Sequence, residues 1–212
     1  MRAVGAHADR VAAATQARAS VWASLGRVEP EPLTMLPGPL ARVSARWPST
    51  PRWRVIRAPR GTILVSDGLS DPWDDEHGVG LGLELWIGST SPLPLVIGSW
   101  AEAAIQAVSV TVASHGTVRT MIDTLGPLSI EIDGRAFAPA ARTASGRVGL
   151  LLGADDDTVP RWLTLPEGRA RMVAITTLRS EELDAVTRGG QPARDALARR
   201  IVARPHGAFC ND

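Results

Sequence analysis

Apolar positions fall into two rhythms along this chain. From His7 to Leu25, the residues Val11, Ala14, Val21, Trp22 and Leu25 share one stripe at helical spacing, with Arg10 and Arg18 on other faces. Gly26 stops that helix, and Glu29-Pro30-Glu31-Pro32 makes a stiff, non-helical exit. A Pro-rich connection follows, holding a short strand over Leu40–Trp47 and a second over Trp53–Arg57 that ends at Pro59-Arg60-Gly61. Thr62–Ser66 reads as a buried strand. From Val79 to Ile87 the rhythm changes to a period of two: Leu81, Leu83, Leu85 and Ile87 alternate with Gly82, Glu84 and Trp86, so one face packs on a core.

Ser99 is placed to cap a helix over Trp100–Ala113, with Glu102 in its first turn. Strands are expected at Thr117–Ile122, Leu128–Ile132, Arg147–Leu152 and Arg171–Thr177. Ser180 with Glu181 and Glu182 starts a short helix that Gly189-Gly190 ends, and Pro192 opens a final helix carrying Leu197 and Ile201. Helices and strands interleave without the regular alternation of a doubly wound sheet. The expected class is α+β, a mixed, mostly antiparallel sheet with packed helices. The expected organisation is a single domain over 1–212: a helical, Pro-rich lead-in over 1–49, a core over about 50–202, and a flexible tail over 203–212 holding His206 and Cys210.

Charge sharpens this picture. All 23 basic residues are arginine, and there is neither lysine nor tyrosine. Without lysine there is no Schiff-base chemistry, no phosphate-loop lysine and no Ser–Lys dyad. Residues 1–60 carry ten arginines against three acids, whereas residues 61–118 carry seven acids and no arginine. The simplest use of this asymmetry is internal, a basic N-terminal segment lying against an acidic middle one, with leftover acid presented to a partner. Cys210 is the single cysteine, which excludes an intrachain disulfide and any thiolate zinc cluster. With no secretory or membrane-spanning pattern, it points to a reducing, cytoplasmic setting.

The segment from Asp67 to His77 concentrates candidate chemistry. Its carboxylates suit Mg²⁺ or Ca²⁺ and its histidine suits Zn²⁺ or Mn²⁺, but it lacks the spacing of a calcium loop and any paired-histidine motif. It is read as a solvated acidic loop that displays Trp73, with Asp71, Trp73, Asp74, Asp75 and Glu76 as candidate partner-binding residues. No Gly-x-Ser-x-Gly elbow occurs, His115-Gly116 reads as a helix terminus, and Cys210 lacks the basic surroundings of a nucleophile. Gly78, Gly80 and Gly82 are not a dinucleotide fingerprint; they let another element approach the backbone. No catalytic residue, cofactor or metal is assigned. The competing readings are a metal-assisted hydrolase using Asp71–His77 and a nucleic-acid binder using the arginines of residues 1–60.

Several segments carry a resemblance. Thr62-Ile63-Leu64-Val65-Ser66-Asp67-Gly68-Leu69-Ser70 resembles the strand-and-turn signature of suppressor-of-fused-like domains, and Gly80–Leu85 resembles that family's segment with a Glu-Leu pair, here Glu84-Leu85. Leu165–Gly168 followed by Val173–Leu183 resembles its second signature, an apolar strand running into a Glu-Leu helix start. Asp67 and Thr177 depart from the pattern, standing where a small or apolar residue and a proline are expected. The resemblance covers roughly residues 50–202 and implies a binding module: animal members restrain transcription factors by gripping an extended peptide between strands, and bacterial members are associated with immunity against toxins. A bacterial member would then bind a protein, with a basic toxin as the candidate partner, by backbone pairing at a strand edge and attraction to an acidic surface.

Overall fold

The computed structural model describes residues 2–34 and 45–210, the side chains of residues 2–4 aside. The first helix, α1, spans Arg2–Leu25. Two short strands follow, β1 (Arg27–Val28) and β2 (Leu33–Thr34), and both pair antiparallel with β3 (Arg52–Ala58). The expected strand at Leu40–Trp47 lies largely outside the described residues, and positions 45–47 are not strand.

Next come β4 (Gly61–Ser66), β5 (Leu83–Ser89), α2 (Trp100–His115), α3 (Val118–Leu125), β6 (Leu128–Asp133) and β7 (Arg147–Leu152). The chain closes with β8 (Trp162–Leu165), β9 (Gly168–Leu178) and α4 (Ser180–Val202). The strands form one sheet in the order β1-β3-β4-β5-β9-β7-β6, with β2 also on β3 and β8 also on β9. Among these strands only the β5–β9 pairing is parallel, through Leu83↔Arg171 to Trp86↔Ala174; the other pairings between them are antiparallel. The α+β class with a mixed, mostly antiparallel sheet stands as expected.

Side-chain parity divides the interior into two cores. Val55, Leu64, Leu83, Leu85, Ile87, Val173 and Ile175 face α2, meeting Ala104, Ile105, Val108 and Val112. Their neighbours Ile56, Ile63, Val65, Trp86, Met172 and Ala174 face the other way, onto Trp22 of α1 and Leu183, Val186, Leu197 and Ile201 of α4. All seven residues of β5 are therefore buried, and the period of two separates two cores rather than core from solvent. Trp53 reaches across from β3 to α2, its indole N–H donating to Ser109 Oγ at 3.0 Å.

Three expectations are corrected, and one hairpin strand was not expected. β5 begins at Leu83, not Val79, because Gly80 and Gly82 hold φ of +52° and +70°, outside strand geometry, and the carbonyls of Leu69 and Asp71 press on Gly80 where no Cβ fits. The strand expected at Thr117–Ile122 is α3; Val118 and Ile122 are its buried pair at i, i+4, so helical spacing overrode the β-branched composition. The hairpin strand β8 was not foreseen. Finally, residues 203–210 are not a free tail: Ala208, Phe209 and Cys210 are buried, and Cys210 bridges to Ser89 in parallel. The break foreseen at Gly189-Gly190 appears as a kink in α4, with Gly190 at φ 60°, ψ −145°.

Leu83 and Leu85 are fully buried, so Leu83→Ala and Leu85→Ala are each expected to cost about 2–5 kcal/mol in urea unfolding. A cost below about 1 kcal/mol at both positions would contradict the burial of this strand.

Candidate functional site

The loop between β4 and β5 has a buried root and an exposed tip, and α1 organises both. Ala14, Arg18 and Trp22 are the buried members of α1's middle turns, spaced four residues apart. Arg18 thus lies on the stripe that faces the sheet, contrary to its expected placement on another face. Its side chain is fully buried. A buried guanidinium persists only when each donor is met and its charge is balanced.

Here Nε donates to Asp67 at 2.8 Å, one terminal nitrogen to Ser70 Oγ at 3.2 Å, and the other to Asp71 at 2.6 Å and to Thr15 Oγ1 at 3.3 Å. Glu84 stands 3.8 Å from Nε. Arg52 and Arg54 of β3 add further bonds to Asp67, both at 3.1 Å. Three guanidiniums therefore meet three buried carboxylates. Burial acts to raise the pKa of Asp67, but the charge and hydrogen bond of Arg18, with Arg52 and Arg54, outweigh it and hold Asp67 below the usual aspartate value. Burial likewise acts against the charge on Arg18, and the three acids more than restore it.

Glu84 ties this cluster to the sheet. Its Oε1 accepts from the backbone N–H of Gly68 and of Ser70, both at 3.0 Å, and from Ser70 Oγ at 2.7 Å, while Ser66 Oγ donates to its Oε2. Ser66 Oγ in turn accepts from the Leu85 amide at 2.8 Å. The two segments singled out in the sequence, 62–70 and 80–85, are thus halves of one hydrogen-bonded unit. Asp67, a departure from the signature, supplies the acid that Arg18 requires.

The tip is held more lightly. Arg10 donates to the carbonyls of Trp73 at 3.0 Å, Asp74 at 3.3 Å and Glu76 at 3.1 Å, and to the Glu167 carboxylate at 3.3 Å. Glu167 also accepts from the Gly78 amide at 2.7 Å; this bond and Arg10 hold its pKa below the usual glutamate value. The guanidinium of Arg46 stacks 4.3 Å from the centre of the Trp73 ring.

Of the five candidate partner-binding residues, Asp71 is fully buried on Arg18 and cannot meet a partner, which corrects its assignment. Trp73, expected to be exposed, is half-buried under Arg46. Asp74, Asp75 and Glu76 are exposed, Asp74 3.7 Å from His7 and Asp75 3.8 Å from Arg46. Among the described residues, no group of three or more His, Cys, Asp or Glu is placed to hold a metal ion. Sequence reasoning missed Arg18, Ser66, Ser70 and Glu84, the residues that build the root. The signal for Arg18 was present: position 18 lies four residues from both Ala14 and Trp22.

The basic and acidic segments do pair internally. Among the described residues, Arg18, Arg46, Arg52 and Arg54 form ion pairs with Asp67, Asp71, Asp75 or Glu84 of the acidic segment, while Arg10 pairs with Glu167 and Arg57 with Glu29. No helix among the described residues is long and apolar enough to cross a membrane.

No protein-family model and no curated protein matches this chain. Among solved structures it is similar to the Sufu–Fu complex crystal structure, with a TM-score of 0.54 and 15% identity over 95% of this chain and 89% of that one. It is also similar to Drosophila Suppressor of Fused, with a TM-score of 0.50 and 15% identity over 95% of this chain and 49% of that one, about half its length. At such identity the likeness is one of architecture. The chain has a suppressor-of-fused-like fold.

Replacing Arg18 by methionine strands buried carboxylates and is expected to cost about 3–5 kcal/mol at pH 7. The sign with pH follows from Asp67: its lowered pKa gives stability that is fully present above 3.8 and is lost as pH falls through the lowered value. In Arg18→Met, Asp67 loses the partner that contributes most to its lowered pKa and takes up a proton more readily, so the deficit should narrow on acidification. Urea titrations of both proteins at pH 7, 5 and 3.5 check this, and a deficit that is constant with pH would contradict it.

Proposed function

We propose that this chain is a non-enzymatic, cytoplasmic protein-binding domain, an immunity protein or regulator that sequesters a basic, toxin-like partner. The observation that carries the reading is the construction of the β4–β5 loop. Its root is fixed by a balanced buried ion cluster, and its tip presents Asp74, Asp75 and Glu76 to solvent beside a half-buried tryptophan. A rigid base spares a binder the ordering cost that a mobile loop incurs on association. Similarity in fold to a complex between two proteins supports partner binding as the class. The metal-hydrolase alternative finds no support at Asp71–His77, since Asp71 turns inward to Arg18 and the exposed acids do not converge with it. The nucleic-acid alternative is weakened because the N-terminal arginines it would use are largely engaged by acids of this chain.

The division of labour at the tip follows from exposure. Asp74, Asp75 and Glu76 act at long range and set association, whereas Trp73, released from or retained under Arg46, contributes desolvated contact area and sets dissociation. The test is co-expression and titration with the product of the adjoining gene, followed by kinetics at two ionic strengths. Combining Asp74→Asn, Asp75→Asn and Glu76→Gln should slow association by about tenfold and flatten its salt dependence. Trp73→Ala should weaken binding by about 2 kcal/mol or more while changing folding stability by no more than about 1 kcal/mol. Unchanged binding in both folded variants would move the recognition surface away from this loop.

A further inference from the structure

The arginines that meet the β4–β5 loop are held with very different firmness. Arg18 is sealed among Asp67, Asp71 and Glu84, and Arg52 and Arg54 each donate to Asp67 at 3.1 Å. Arg10 holds three backbone carbonyls and the Glu167 carboxylate. Arg46 is the exception. Its backbone amide is tied to α2, donating to the Ala113 carbonyl at 3.1 Å, but its guanidinium makes no hydrogen bond among the described residues. Two contacts hold it: the face of the Trp73 ring, 4.3 Å to the ring centre, and the Asp75 carboxylate at 3.8 Å, beyond hydrogen-bond reach. The Arg46 side chain is 66% exposed and that of Asp75 74%. An exposed ion pair and an exposed cation–π contact are each weak.

Ring and carboxylate together make a seat for a planar cation. Arg10 donates to the Trp73 carbonyl at 3.0 Å and to the Glu76 carbonyl at 3.1 Å, so the backbone that carries both members of the seat is fixed on either side of Asp75. An indole face attracts a cation through its quadrupole, and a guanidinium lies flat on it where an ammonium does not. Asp75 adds an acceptor of opposite charge at the rim. Asp74 and Glu76 flank it in the chain and are exposed, and Arg46 forms an ion pair with neither.

From this geometry we propose that Trp73 and Asp75 form a guanidinium seat, that Arg46 fills it as the chain's own competitor, and that the partner docks by putting an exposed arginine in Arg46's place. This rests on the acidic tip being the recognition surface, and it names the side chain which that surface selects. An incoming arginine repeats the two contacts of Arg46. A second cation two residues further along an extended segment faces the same way and reaches Asp74 or Glu76, which Arg46 leaves unmatched. Joined contacts of this kind bind together more tightly than either alone, so the partner wins where a lone guanidinium would only exchange with Arg46. Without a partner, Arg46 covers one face of Trp73, and every ligand binds more weakly by the fraction of time the seat is closed. Lysine-rich surfaces feel the same long-range attraction but gain less in the seat, which gives selectivity among basic proteins.

The probe is the tripeptide acetyl-Arg-Gly-Arg-amide, with its Lys-Gly-Lys counterpart as a control of equal charge. Each is titrated into the intact protein and followed through the backbone amide NMR signals of residues 73–76. The arginine peptide should give a saturable shift and bind at least about threefold more tightly than the lysine peptide. Arg46→Gln should tighten binding of the arginine peptide by about threefold. That gain should vanish when Trp73→Leu is added, whereas an effect of net charge alone would persist without the ring. Absence of a saturable shift, equal binding of the two peptides, unchanged or weaker binding in Arg46→Gln, or a gain that survives Trp73→Leu would each overturn the proposal. The probe is not the partner, so the two readings fail separately. If the tripeptides behave as expected but the triple variant of Asp74, Asp75 and Glu76 leaves partner binding intact, the tip is overturned as the recognition surface and the seat stands. If the tripeptides fail while that variant abolishes partner binding, the seat alone is overturned.

Discussion

A single buried cation sets the terms for much of this structure. Arg18 sits on a helix stripe between Ala14 and Trp22, and its removal from water is tolerable only because Asp67, Asp71 and Glu84 converge on it. Each acid comes from a different step of one stretch of chain: the end of β4, the following turn and the second residue of β5. Satisfying Arg18 therefore fixes the approach of α1 to the sheet, the path of residues 67–71 and the spacing of β4 from β5. Apolar packing of Trp22 on Ile56 and Ile63 would permit many placements of α1; the charge cluster selects one. In this sense the cluster contributes specificity more than net stability, the role best attested for buried polar groups.

Much of the architecture was legible because local pattern and tertiary context agree. The helices at α1 and α2, the strands β4, β6, β7 and β9, and the break in α4 follow from periodicity, Ser99 as a cap and the glycines at 189–190. Elsewhere two local signals competed. At residues 117–125 β-branched side chains suggested a strand, yet Val118 and Ile122, with the glycine at 126, carry the spacing of a short helix, and burial of that pair decided it. At residues 78–82 alternating apolar residues suggested a strand, yet the intervening glycines are needed for positive φ. β1, β2 and β8 are two to four residues long, too short to register as periodicity.

The candidate site was legible at the level of charge and not at the level of atoms. Counting arginines and acids by segment anticipated that residues 1–60 would lie against residues 61–118, and the ion pairs of Arg18, Arg46, Arg52 and Arg54 with Asp67, Asp71, Asp75 and Glu84 bear this out. Counting could not separate buried acids from displayed ones. Asp71 and Asp74 are three residues apart and of the same type, but one is sealed on Arg18 and the other faces solvent. What separates them is the reach of a helix fifty residues upstream. The arginine within an otherwise apolar helical stripe is the clue that such acids exist, since a buried guanidinium implies carboxylates to meet it.

β5 is where these constraints meet. Its second residue, Glu84, receives the amides of Gly68 and Ser70 and so anchors the loop that ends in the acidic tip. Its sixth, Gly88, lacks the side chain that would exclude Phe209, so the same strand receives the end of the chain. Between them Leu85 and Trp86 enter opposite cores, which leaves the strand no free face on which to shift. A strand fixed on both faces and along its β4 edge gives the loop at one end and residues 208–210 at the other one rigid, close-packed support.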